Sequence, residues 1–421
     1  MIERCLWTET APDSAGVSTR QAPERTDVAI IGGGYTGLAA ARSLAWRGAD
    51  VTVLERHTLG WGASSRNGGF VLPGFKPDIV VLARKLGLAE ARRLFELSRQ
   101  AVDGLEGLIA DEAIDCDYRR CGTVVLAARP RHLAGLDRSR RFLREHLGLE
   151  TALLTREDLR GEIGSTRYHG GLLDPLAAAV QPARLVQGLA RAAARAGARL
   201  VEGAEVRGLG REAGSWRLMT SAGDVRAREV LVATNGYTGA AVPALRRRVV
   251  SVGSYLIATP VLQPELAARL IPRGRVLSDT KNLLYYFRLS PDGRILFGGR
   301  AAFTPTPVAQ SAAILARGMV EVFPELDGVP VEYAWGGQVA FTVDQMPHAG
   351  RLDGLHYALG YAGHGVAMAT WLGARMGDAL AGAGEIPRLT APFRAVPLYG
   401  GTPWFLPFVG GYYRVRDALG W

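Results

Sequence analysis

The stretch TDVAIIGGGYTGLAAARSLAWRGADVTVLE (26–55) constrains this chain more than any other. TDVAII reads as a short buried strand, GGGYTG as a turn opening an apolar helix that stops at Gly48, and ADVTVLE as a second strand ending at Glu55. The βαβ order implies a parallel sheet. Gly32, Gly34 and Gly37 form GxGxxG between strand and helix. The first glycine permits the tight turn, the second admits a pyrophosphate to the backbone, and the third lets helix and strand pack closely. Helix N-terminal amides then face the diphosphate, with Tyr35 and Thr36 in the first turn. Glu55, 21 residues beyond Gly34, is timed to accept the ribose hydroxyls of an adenosine, and Arg56 follows as an adenosine-side contact. Together these features predict a dinucleotide site. A Gly-rich stretch directly after the carboxylate (60–69) suits a long, permanently held dinucleotide such as FAD better than a mobile nicotinamide cofactor.

The rest of the chain supplies the frame. At 421 residues it exceeds one ordinary domain, and 48% hydrophobic content supports a full core. Strands are expected at 122–128 and 198–202, a buried strand followed by a loop at 227–238, two helices over 78–114, and further helices over 130–147 and 182–196. Thr155 and Asp158 stand in capping-box spacing. From 249 to 345 the texture changes to alternating, aromatic-rich strands, with Asp292-Gly293 marking a hairpin. LHYALG (355–360) returns to a parallel-sheet strand before a glycine turn and an apolar helix. The expected fold is α/β plus α+β: a discontinuous Rossmann-like domain with an inserted antiparallel-sheet substrate domain. The boundaries read as a leader at 1–26, the nucleotide domain at 27–80, 150–240 and 346–391, the substrate domain at 81–149 and 241–345, and a covering segment at 392–421. Leader and covering segment are both expected at the cavity entrance.

Charge and cysteines exclude several classes. The net charge of +10 is scattered rather than gathered into a patch, which argues against nucleic acid. Cys5, Cys116 and Cys121 complete neither a disulfide framework nor a metal ligand set, so no metal is expected. No run approaches the roughly 18 apolar residues of a membrane span. The N-terminus lacks an apolar signal core, so a cytoplasmic location is expected. The oligomeric state is left open.

The opening motif, followed by GWGASSRNGGFV, resembles the FAD-dependent D-amino-acid oxidase and sarcosine oxidase superfamily, nearest its gamma-glutamylputrescine oxidase type. The likeness continues through LVATNGYT, YYFRLSPDGRILFGG, WGGQVAFTVDQMPHAG and LGYAGHGVAMATWLG. It implies that Ser64, Ser65, Arg66, Asn67, Gly68 and Gly69 pass along the diphosphate and flavin side. Val206 would lie near the adenine, with Ala233, Thr234 and Asn235 flanking the cofactor. Gly360, Gly363, His364 and Gly365 would approach the flavin pyrimidine, where amides at a helix start oppose negative charge developing on reduction. His364 reads as a general base, a structural imidazole or a polar neighbour of the flavin. Some relatives attach FAD through a cysteine in a segment like QVAFTVD; this chain has Val339 there, so noncovalent FAD is expected.

The implied activity is oxidation of a primary amine, possibly gamma-glutamylputrescine-like, to an aldehyde with release of ammonia and hydrogen peroxide. Molecular oxygen is the expected acceptor and a small-molecule amine the partner. Oxidation of a secondary amine or amino acid, a flavin dehydrogenase and a non-catalytic flavin-binding subunit are the alternatives. Substrate-side candidates are Tyr286 and Trp335, among the aromatics Tyr255, Tyr285, Phe287 and Phe341. Arg288 and Arg300 are candidates for a carboxylate. Lys281, one of only three lysines, is a candidate to assist oxygen reduction, a role that relatives give to a lysine near flavin N5.

Overall fold

The computed structural model describes residues 1–11, 16–212, 214–299, 306–389 and 392–419; Arg300 lies outside them. Two large sheets carry the molecule. The first runs in the order 348–352, 355–359, 225–232, 25–31, 51–54, 199–201, with 215–220 and 206–212 folded off strand 225–232. Its centre is parallel: Ile31 pairs with Leu54 on one side and Val232 on the other. Helices Tyr35–Trp46, Leu88–Asp111, Pro182–Arg195 and Gly365–Leu380 share one large apolar core against this sheet. The first and last of these helices cross closely because Gly373 and Gly377 lie beneath the carbonyls of Thr36 and Ala40, where a Cβ would have no room.

The second sheet runs 333–341, 250–258, 295–299, 285–289, 276–279, 123–126, 171–174, 152–154 and is antiparallel except between 276–279 and 123–126. Alternation divides its side chains. Tyr285 and Phe287 point toward helix Val308–Val322 and the following turn, where Phe287 lies parallel to Phe297 (5.4 Å) and edge-on to Phe323. Tyr286 and Arg288 point the other way, toward the first domain. The expected hairpin is present, with Gly293 at φ +86. The Thr155–Asp158 box also forms, each side chain accepting the other's backbone N–H.

The expected domain boundaries need four corrections. Strands 152–154 and 171–174 belong to the second sheet, not the nucleotide domain. Helix Leu88–Asp111 packs into the first domain's core, and within 81–149 only strand 123–126 enters the second sheet. The supposed leader begins with a buried wedge: Cys5, Leu6 and Trp7 pack with Leu256, Leu296 and Trp335. The covering segment packs Tyr399 and Leu406 on Val250 and Val252, and none of its described residues lines the cavity below. A short polar segment conceals a wedge because four residues are too few to show a helical period.

Candidate active site

A cavity of about 430 Å³ extends along the start of helix Tyr35–Trp46. Its floor is made by missing side chains. Gly32 has φ +110, and a Cβ there would lie 2.9 Å from the Ala233 carbonyl oxygen. At Gly34 a Cβ would meet Ser64 Oγ at 2.7 Å, and at Gly37 it would overlap the Gly32 carbonyl. The Glu55 carboxylate is aimed by two amides: Gly33 N–H donates to Oε2 (2.8 Å) and His57 N–H to Oε1 (2.9 Å).

Fourteen expected cofactor residues line this cavity: Gly32, Gly34, Tyr35, Thr36, Glu55, Arg56, Ser64, Asn67, Val206, Ala233, Thr234, Asn235, Gly363 and Gly365. The Tyr35 amide donates to Ser64 Oγ (3.0 Å), and Thr36 Oγ1 meets the Tyr361 hydroxyl at 2.7 Å. Asn235, held at φ +43, accepts the Gly360 N–H on Oδ1 (2.9 Å), which ties the strand end at 232 to the second glycine turn.

Gly37, Ser65, Arg66, Gly68, Gly69, Gly360 and His364 support the site from behind or beside it. Arg66 lies over the Trp61 ring (4.8 Å) and donates from Nε to the Trp61 carbonyl (2.8 Å). His364 caps helix Gly365–Leu380 without a side-chain bond, and its Nδ1 is buried without a hydrogen-bond partner. Burial of the ring, with Lys76 adding like charge against a hydrogen bond at Ala362, pushes His364 down to about 4. It is therefore neutral across the physiological range and weak as a base.

The candidates for substrate chemistry instead clamp loop 64–69. Arg288 is buried, and its Nη1 donates to the carbonyls of Gly69 (3.0 Å) and Val180 (2.8 Å) while Nε serves Leu289 (3.0 Å). Burial lowers its pKa to about 10. Trp335 Nε1 donates to Arg66 O (3.0 Å), Tyr286 packs on Gly68, and its hydroxyl meets Ser254 Oγ (3.0 Å). From the N-terminus, Trp7 Nε1 reaches Asn67 O (2.9 Å) and Cys5 Sγ reaches Ser65 O (3.3 Å). Lys281 lines a different cavity, of about 250 Å³, with Arg129, His132, Arg167 and His169. There its Nζ is 3.3 Å from Asp279 Oδ2 and 3.3 Å from the Tyr285 ring centre.

Sequence reasoning missed Trp61, Tyr237 and Gln338, all on the cavity wall. The Tyr237 hydroxyl accepts the Gln338 N–H (3.1 Å), and its ring stands edge-on to Trp61 (5.8 Å). A large aromatic between Gly60 and Gly62 was the available signal.

A glycine floor at the start of helix Tyr35–Trp46, with the Glu55 carboxylate aimed beside it by backbone amides, suits a dinucleotide, and the cavity fits FAD. The chain belongs to the DAO family of FAD-dependent oxidoreductases, whose model matches residues 27–379. It is 35% identical to the gamma-glutamylputrescine oxidoreductase of Escherichia coli (strain K12), over 94% of this chain and 93% of that one. It is 33% identical to the probable oxidoreductase OrdL of Rhizobium meliloti (strain 1021), over 98% and 97%. The fold is that of the glycine oxidase from Geobacillus kaustophilus (TM-score 0.73, 24% identity, 90% of this chain and 100% of that one). The cofactor is FAD, held noncovalently. Cys5, Cys116 and Cys121 are buried away from the cavity wall, where Val339 stands. Among the described residues no group of His, Cys, Asp or Glu is arranged for a metal, and no helix is long and apolar enough to cross a membrane.

Proposed function

We propose that this protein oxidises the carbon–nitrogen bond of a primary amine of the gamma-glutamylputrescine type. The net reaction consumes amine, oxygen and water and yields an aldehyde, ammonia and hydrogen peroxide. The observation that carries this reading is the similarity, over nearly the whole of both chains, to the E. coli gamma-glutamylputrescine oxidoreductase.

FAD, when bound, supplies the two-electron acceptor. The protein's own groups hold and orient. The amides of Gly34 and Thr36 suit the diphosphate, with that of Tyr35 held by Ser64 Oγ, and Glu55 suits the adenosine ribose. Tyr237, Gln338 and Tyr361 also line the cavity, with Val339, Val366 and Ala369. These side chains are neutral and mostly apolar, a surface that suits the α-carbon and alkyl chain of an unprotonated amine and excludes water. Arg288, one of the two cations expected to receive a carboxylate, is occupied by backbone carbonyls.

The test is anaerobic bleaching of the purified yellow protein by gamma-glutamylated amines, polyamines, N-methyl amino acids and D-amino acids. A gamma-glutamylated or simple primary amine should reduce the flavin fastest, with peroxide appearing once air is admitted. Fastest reduction by sarcosine or an amino acid overturns the substrate assignment. Reduction without peroxide formation makes the protein a dehydrogenase.

A further inference from the structure

The C-terminal helix Leu406–Leu419 is fixed along one side and bare along the other. Leu406 is buried with Tyr399 against Val250 and Val252, and Gly410 turns to the same side. Asp417 locks the far end, its carboxylate accepting from Asn282 N (2.9 Å), Asn282 Nδ2 (2.8 Å) and Leu283 N (2.9 Å). The opposite face carries Phe408, Tyr412 and Val415, spaced four and three apart, which puts them in one stripe. Their exposures are 74%, 59% and 58%, and Trp404 just before the helix is 58% exposed.

An isolated exposed side chain needs no explanation, but a continuous stripe on an anchored helix does. Its charge is one-sided. Residues 392–417 contain Arg394, Arg414 and Arg416 and a single acid, Asp417, which is turned inward. At 100° per residue Arg414 and Arg416 flank the stripe on either side, and the Arg416 guanidinium lies 5.7 Å from the Tyr412 ring centre. Tryptophan and tyrosine suit a headgroup layer, with the ring in the apolar zone and the polar atom in water.

We propose that this face seats the protein peripherally on an anionic lipid surface, with Phe408, Tyr412 and Val415 entering the headgroup boundary and Arg414 and Arg416 meeting lipid phosphates. The helix lies on the membrane and does not span it. A second copy of this chain fits the face less well, because two identical stripes would bring their flanking arginines together without an acidic partner. A lipid surface supplies the missing negative charge.

The test is flotation of the full-length, FAD-loaded protein with phosphatidylcholine vesicles, with and without phosphatidylglycerol. Binding is expected only with the anionic lipid and should fall as salt rises. The Phe408→Ser/Tyr412→Ser variant should bind roughly tenfold more weakly. Arg414→Glu should weaken binding roughly fivefold by itself. Undiminished flavin absorbance per chain shows that each variant is folded, since these positions are exposed. The proposal is overturned by absence of binding to anionic vesicles at low salt, or by a double variant that binds as tightly as the parent. A dimer in solution that the double variant converts to monomer overturns it in favour of a self-contact.

Discussion

Two regions meet at the loop 64–69 and are built on opposite principles. On one side the turn at Gly32–Gly37 makes its site by leaving side chains out, so that backbone lies where a cofactor must approach. On the other side Tyr286, Arg288, Trp335 and Trp7 support the same loop by filling space and satisfying carbonyls. The first principle concentrates its information in six consecutive residues. The second distributes it over residues from the N-terminus to position 335. A site of this kind is thus half local motif and half tertiary buttress, and the two halves should fail differently when altered.

Gly37→Ala should give the largest effect. The added methyl would overlap the Gly32 carbonyl, and the main chain on both sides is already packed. The expected cost is about 3 kcal/mol or more, with loss of bound FAD. The ratio of flavin to protein absorbance and the thermal midpoint report it together. A yellow variant with the parental midpoint would show that helix and turn can separate, and the contrast between the two regions would collapse.

Arg288→Met tests the buttress. It removes the guanidinium donors to the carbonyls of Gly69, Val180 and Leu289, of which Gly69 keeps the Val180 N–H, for an expected loss of about 2–4 kcal/mol. FAD affinity should fall with it, because Gly69 belongs to the supported loop. Measured at saturating FAD, the KM for a primary amine should move by less than about threefold. A large rise in KM with parental stability would instead return Arg288 to the substrate.

The difference between the regions also explains what could be read from the sequence. GxGxxG between strand and helix, Glu55 at the end of the next strand, the Thr155–Asp158 box and the Asp292-Gly293 hairpin are local devices, and the backbone has each in place. Alternation along 285–289 separates Tyr286 and Arg288 from Tyr285 and Phe287 but does not say what either face meets. That depends on strand order, and the sheet joins strands from 123–126 to 333–341. Cys5-Leu6-Trp7 became legible only as a partner of Trp335 and Leu296. Likewise, Tyr237 acquires its place through a hydrogen bond to Gln338, a hundred residues away in sequence.

Lys281 gives the smallest expected effect on catalysis and separates rarity from role. It lines the second cavity, paired with Asp279, so Lys281→Met should leave the rate of flavin reoxidation by oxygen within about twofold of the parent. Its effect should appear in stability and depend on pH. Burial raises the Asp279 carboxyl to about 6 even with Lys281 and nearby backbone amides pulling it down. A carboxyl raised in the fold stabilises most when protonated, below its unfolded value of about 4, and that contribution is lost as pH rises through about 6. Removing Lys281 raises the carboxyl further, so the variant keeps losing stability above the pH at which the parent levels off. The difference should be small near pH 5 and reach about 1–2 kcal/mol at pH 8, read from denaturant midpoints at the two values. A slowed oxygen reaction with no pH-dependent stability difference would place Lys281 beside the flavin after all.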